Sequence, residues 1–162
     1  MAALTVWRFD AVDGADAAVR LLERLVRDEG LVIDDAAVVE WEAGRRKPHT
    51  HPLTGAVTTG VLGGGFWGLL FGLIFFVPLL GAAIGAATGA LAGSLADVGI
   101  DDHFINRVRD EVTPGTSALF LLSADTAVDR IREALADRPR ADVISTGLDP
   151  DQDAALRAVF GE

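Results

Sequence analysis

Few residues in this chain could do chemistry. His49 and His51 flank a threonine, and together with His103, Asp101 and Asp102 they could be drawn into a metal site. His-x-His alone is unspecific, and the chain has no Cys to supply a thiolate, so the ordinary reading is interfacial or exposed histidine. Gly63-Gly64-Gly65-Phe66-Trp67-Gly68 spells G-x-G-x-x-G. That motif binds a dinucleotide only where a strand leads into it and an acid follows about twenty residues on. Here no β-rich strand precedes it, and at that distance the chain reads Gly85-Ala86-Ala87. Asp149, Asp151 and Asp153 imitate the start of an EF-hand loop, yet Ala154 and Phe160 stand where Gly and Glu are needed. Acids in the first turn of a helix stabilise its dipole without any metal. No Ser-His-Asp order, Cys-His pair or paired acid with a pocket can be argued. The expectation is a non-enzyme with no cofactor, no metal site and no small-molecule substrate.

The strongest pattern is structural. Gly60, Gly64, Gly68 and Gly72, then Gly81, Gly85, Gly89 and Gly93, recur at every fourth position inside 52–97, a segment with no charge from Pro52 to Ala96. Each mid-helix Gly costs about 0.5–1 kcal/mol relative to Ala unless close packing returns it. Small residues at this spacing let helix backbones touch, in lipid or in a dense oligomer core. As one helix the segment is about 65 Å long, roughly twice a hydrocarbon core. Pro78 disfavours helix at Val77 and removes a donor, so the spacing predicts a hairpin of two arms, about 54–76 and 79–97, bent at Pro78. Opposite the glycines the first arm carries Leu62, Phe66, Leu70 and Ile74, a ridge expected to face lipid or a partner.

The flanking segments must position this hairpin. Residues 3–9 roughly alternate and read as a strand, and a helix follows over 14–29 with Gly30 as its stop. Ala36 to Trp41 reads as a second strand and 44–52 as a polar turn. After the insertion, Asp101 or Asp102 caps a short helix with Phe104, Ile105, Val108 and Val112 on one stripe. Pro114-Gly115 turns the chain. A strand over 117–122, a helix capped by Asp125, a strand over 141–145 and a helix opened by Asp149-Pro150 complete it. The expected fold class is α+β: a ferredoxin-like split β-α-β domain built from 1–51 and 98–162, with the glycine-zipper α-helical hairpin inserted between strands two and three.

Charge narrows the partners. The net charge is −10; residues 1–51 carry ten acids against seven bases and 97–162 fourteen against seven, so a nucleic-acid surface is not expected. Basic charge gathers only in Arg45-Arg46-Lys47, just before the first arm, where it suits a cytoplasmic membrane boundary or a solvated turn. The first ten residues have no basic n-region or apolar h-region, so no cleavable signal peptide is expected and the N-terminus is placed in the cytoplasm.

Gly63 to Gly72, Phe75-Phe76-Val77-Pro78-Leu79-Leu80-Gly81, and Val98 to Phe120 with its Val112-Thr113-Pro114-Gly115-Thr116-Ser117 stretch resemble a bacterial family. It is the domain of unknown function family 1269, catalogued as predicted membrane proteins. The resemblance covers nearly the whole chain. It implies membrane association and carries over no activity, substrate or catalytic residue.

The expected function is therefore a self-associating, membrane-anchored structural or regulatory protein, a homo-oligomer in contact with membrane lipid, its α+β domain cytoplasmic. One alternative is a cytoplasmic assembly with the hairpins buried in the core of a soluble oligomer. Another is a small oligomeric pore, for which the insertion offers only Thr54, Thr58, Thr59, Thr88 and Ser94 as polar lining. A third is a sensing module that uses an exposed sheet.

Overall fold

Alternating apolar residues make β1 (Ala2–Phe9), and the amphipathic stretch after it makes α1 (Gly14–Glu29). Gly30 ends α1 in the left-handed region at φ 68°, its N–H bonded to the Leu25 carbonyl. At the other end of α1 the cap comes from far along the chain. Ser117 Oγ accepts from Ala15 N–H at 2.9 Å and donates to the Ala11 carbonyl at 2.6 Å, whereas the Asp13 side chain makes no capping bond.

The computed structural model describes residues 2–53, 58, 60, 62, 64–76, 95, 99–136 and 142–160. β2 (Asp35–Glu40) folds back onto β3 (His49–Pro52), a strand in the segment expected to be only a turn. Pro48 just before it and Pro52 at its end hid it. α2 (Gly64–Phe71) runs on into a π-helical turn, Gly72–Phe76. α3 (Asp102–Glu111) is capped by Asp101, whose Oδ1 accepts from Phe104 N–H at 3.0 Å. β4 (Ser117–Ala124), α4 (Asp125–Leu135), β5 (Asp142–Leu148) and α5 (Pro150–Phe160) follow. Asp125 is the first residue of α4, with Ala124 at the cap position and no side-chain cap bond. α5 opens on a reciprocal box: Gln152 N–H donates to Asp149 Oδ1 at 2.8 Å and Asp149 N–H to Gln152 Oε1 at 3.0 Å.

The fold is α+β. One five-stranded antiparallel sheet runs in the order β3-β2-β4-β1-β5. On one face Trp7, Val38, Leu119 and Leu121 pack with Ala18 and Leu22 of α1 and Ile131 and Leu135 of α4. On the other, Leu4, Val6, Val39, Phe120 and Leu122 pack with Phe66, Trp67, Leu70, Phe71, Ile74, Phe104, Ile105 and Val108. The sheet is covered on both faces.

That second layer corrects two expectations. The ridge Leu62, Phe66, Leu70 and Ile74 faces neither lipid nor a partner: all four are buried against the chain's own sheet. The first arm is not one continuous helix over 54–76 either: Thr58, Gly60 and Leu62 are non-helical, and its described helix is eight residues of α-helix and a five-residue π turn. Among the described residues no helix is long and apolar enough to cross a membrane, which overturns the transmembrane-helix reading. The physical reason is that β4 is apolar on both faces, and a strand of that kind needs cover on each side. Pro78 and the second arm with Gly81, Gly85, Gly89 and Gly93 lie outside the described residues, apart from Leu95, which is buried in the same layer.

Candidate functional site

Polar chemistry concentrates at the seam where the apolar segment docks on the sheet. Asp35 opens β2 and is 2% exposed. Its Oδ2 accepts from Leu62 N–H at 2.7 Å, and its Oδ1 from Ala36 N–H at 2.8 Å and from Trp67 Nε1 at 3.2 Å. Burial raises the Asp35 carboxyl above its ordinary range; the three donors pull the other way, and the Asp34 charge pushes it further up. One carboxylate thus ties the approach to α2, and α2 itself, to the first residue of a sheet strand.

Aromatic rings continue the seam. Trp67 and Phe71 stack at 5.7 Å, and both meet Phe120 of β4 edge-on, at 6.3 Å and 5.0 Å. Phe75 meets Trp41 edge-on at 5.7 Å. Arg109 of α3 donates to two carbonyls of the π turn. Its Nη2 donates to the Leu73 carbonyl at 2.6 Å and its Nε to the Ile74 carbonyl at 2.9 Å, while Nη1 donates to Asn106 Oδ1 at 2.9 Å.

The glycines take different positions. Gly60 lies before the helix, at φ 67°, its N–H bonded to Thr58 Oγ1 at 2.7 Å. Gly64 begins α2, Gly68 lies within it, and Gly72 begins the π turn. Gly65 and Gly68 are exposed and Gly72 half-buried, and a Cβ built at any of these three meets no described atom within 4 Å. Among the described residues the glycine side of α2 is therefore open, while its aromatic side is buried.

Arg45, Arg46 and Lys47 sit in the loop between β2 and β3, exposed, lining an open cleft of about 640 Å³ with Glu40, Glu42 and His49. Trp41 Nε1 donates to the Arg45 carbonyl at 3.0 Å, and Arg45 Nε stands 3.5 Å from Glu42 Oε2. Beside this loop is a pair that sequence reasoning missed. Burial and a hydrogen bond shared with Asp16 of α1 raise the Glu40 carboxyl, and the nearby His49 draws it back down. Nothing in the spacing of Asp16 and Glu40 announces the pair, since a helix and a strand bring it together.

The remaining motif residues stand apart. His49 and His51 neighbour each other on β3, ring centres 5.4 Å apart, and His103 is exposed on α3. Asp101 is used as a cap. Among the described residues no group of three or more His, Asp or Glu is placed to hold a metal. Gly64, Gly65 and Gly68 of the G-x-G-x-x-G lie inside a helix, where a phosphate loop must precede one. Asp149 caps α5, and Asp153 pairs with Arg157 at 2.9 Å; the same guanidinium reaches Asp34 at 3.0 Å.

Residues 61–161, more than half of the chain, match a family model described as protein of unknown function (DUF1269). No curated protein matches the chain. No solved structure matches it either.

Proposed function

We propose that this chain, which belongs to the DUF1269 family of proteins of unknown function, is a non-enzymatic, self-associating structural or regulatory protein whose copies meet through the glycine side of its apolar segment. The observation that carries this reading is the open flank of α2. Three glycines occupy helical positions where the described protomer makes no close approach, and each costs about 0.5–1 kcal/mol relative to Ala if nothing approaches. A second backbone laid along that flank would return the cost through dispersion contacts. The buried ridge supports placing the segment inside a protein particle: with its bulky side taken by the sheet, α2 has no apolar surface all round it.

We read the α+β architecture as ferredoxin-like. What supports this is the order β5-β1-β4-β2, with α1 and α4 on one face, once β3 is taken as an added edge and the segment after it as an insertion covering the second face.

The experiment is native mass measurement after purification without detergent, on the wild type and on Gly68→Leu. Because no described atom lies within 4 Å of the added Cβ, the protomer keeps its thermal unfolding transition while the particle drops to a smaller species. A particle of unchanged size in Gly68→Leu overturns the reading.

A further inference from the structure

The two edges of the sheet are built differently, and the hydrogen-bond register shows how. Trp41 N–H bonds to the Thr116 carbonyl in line with the β2–β4 register, so even-numbered residues of β4 point their backbone groups at β2 and odd-numbered ones at β1. Carried through the β1 pairings, this turns the even residues of β5 toward β1 and leaves Val143, Ser145 and Gly147 with N–H and C=O directed away from the sheet. Carried the other way it turns the odd residues of β3 toward β2, and the Leu53 N–H bond to the Ala36 carbonyl agrees. The outward positions at that edge are Thr50 and the two prolines around it, Pro48 and Pro52, which have no N–H to offer. The β3 edge is blunted against strand addition in the manner natural sheets use. Among the described residues no strand pairs with the outer side of β5, and that edge presents three donors and three acceptors in a row with no proline.

From this contrast we infer that β5 pairs antiparallel with β5 of a second copy about a two-fold axis at Ser145, joining two sheets into one. The occupant is another copy because the strand is complementary to itself. With Ser145 opposite Ser145, Val143 of one copy falls opposite Gly147 of the other, a branched side chain against a position with none, and three pairs form that each exchange two hydrogen bonds. Asp142, the strand's single charged residue, falls opposite Leu148 of the other copy, with no like charge facing it across the seam. The side of β5 that carries these residues has room: Ser145 and Gly147 are exposed, and Val143 is half-buried against the α1–α4 layer. This interface is separate from the glycine flank of α2, and either can fail without the other.

The chain has no Cys, so a single introduced thiol reports on one place. In a hydrogen-bonded antiparallel pair the two Cα atoms lie about 5.5 Å apart, inside the range a disulfide spans. Ser145→Cys should oxidise to a covalent dimer, and Thr50→Cys on the blunted edge should stay a monomer on a denaturing gel. Ser145→Pro removes only an outward N–H, so native mass should show loss of the two-fold step in assembly with the circular dichroism of the fold retained. Should that variant misfold, Ser145→Lys, which sets two cations across the axis, should give the same loss. A Ser145→Cys chain that crosslinks no better than Thr50→Cys, or a native mass unmoved in folded Ser145→Pro or Ser145→Lys, overturns the proposal. A wild-type protomer that stays single in solution overturns it too, including the case in which another protein's strand takes the edge.

Discussion

Trp67 Nε1 on α2 reaches Asp35 Oδ1 at the start of β2, and this buried bond joins the apolar segment to the sheet it covers. An indole N–H buried in an apolar layer needs an acceptor, and the alternative to Asp35 is an unsatisfied donor. Trp67→Phe keeps a ring against Phe71 and Phe120 but removes the donor and part of the volume. The expected loss is about 1–3 kcal/mol in chemical denaturation, combining one bond to a charged acceptor with a small cavity. Asp35→Ala should cost more, because it strands the Leu62 and Ala36 amides as well as the indole.

The same carboxylate sets a pH dependence. Its pKa is raised in the folded protein, so the native state holds the proton more tightly than the unfolded chain does. For a raised acid the unfolding free energy falls as pH climbs from the ordinary aspartate value of 3.8 through the folded value, and levels off above it. Asp35→Asn does not titrate there. The difference in unfolding free energy between wild type and Asp35→Asn, followed by urea titration from acid toward neutral pH, should shift steadily against the wild type and then become flat. A difference that moves in favour of the wild type over that range contradicts burial as the dominant influence on Asp35.

How much of this was legible follows from where each signal lives. α1 was readable to its ends, because its stripe and Gly30 are local features. β3 was hidden by Pro48 and Pro52, which lower strand propensity yet fit an edge strand's outward positions. The two-sided sheet was readable in principle. In β4, Ala118, Phe120 and Leu122 share one face and Leu119 and Leu121 the other, a pattern that asks for cover on both, and the only uncommitted apolar segment is the insertion. Reading that segment by its glycine spacing and lack of charge predicted a spanning helix in place of the ridge that packs on the sheet. Asp35 and Arg109 could not be assigned in advance: apart from Trp67 and Asn106 their partners are two backbone amides and two carbonyls, which carry no residue-type signal.

Arg109 tests whether the π turn is held from outside. Lys at this position keeps the charge but presents a point donor that cannot serve the Leu73 and Ile74 carbonyls in the planar manner of a guanidinium. Arg109→Lys should cost about 1–2 kcal/mol and Arg109→Ala about 1.5–3 kcal/mol, with hydrogen exchange quickening around the π turn before it does in β4. Equal protection in all three proteins would show that the turn holds itself.

Gly14 separates a glycine required by the protomer from those left open on α2. A Cβ at Gly14 falls 2.5 Å from Phe9 Cβ, 3.0 Å from Phe9 Cγ and 3.4 Å from Ser117 Oγ. The nearest of these atoms sits next to the β1 backbone, so it cannot swing aside as a side-chain tip would. Accommodation has to come from moving the start of α1, where Ser117 makes its two capping bonds. Gly14→Ala should therefore destabilise by about 1–3 kcal/mol, the usual cost of overpacking, despite the better helix propensity of Ala. Gly65→Ala meets no such neighbour and should be neutral, or stabilise the isolated protomer by up to about 1 kcal/mol. Thermal unfolding of the two variants side by side reads both signs, and a Gly14→Ala protein as stable as the wild type would mean that the junction between β1 and α1 yields more easily than its packing indicates.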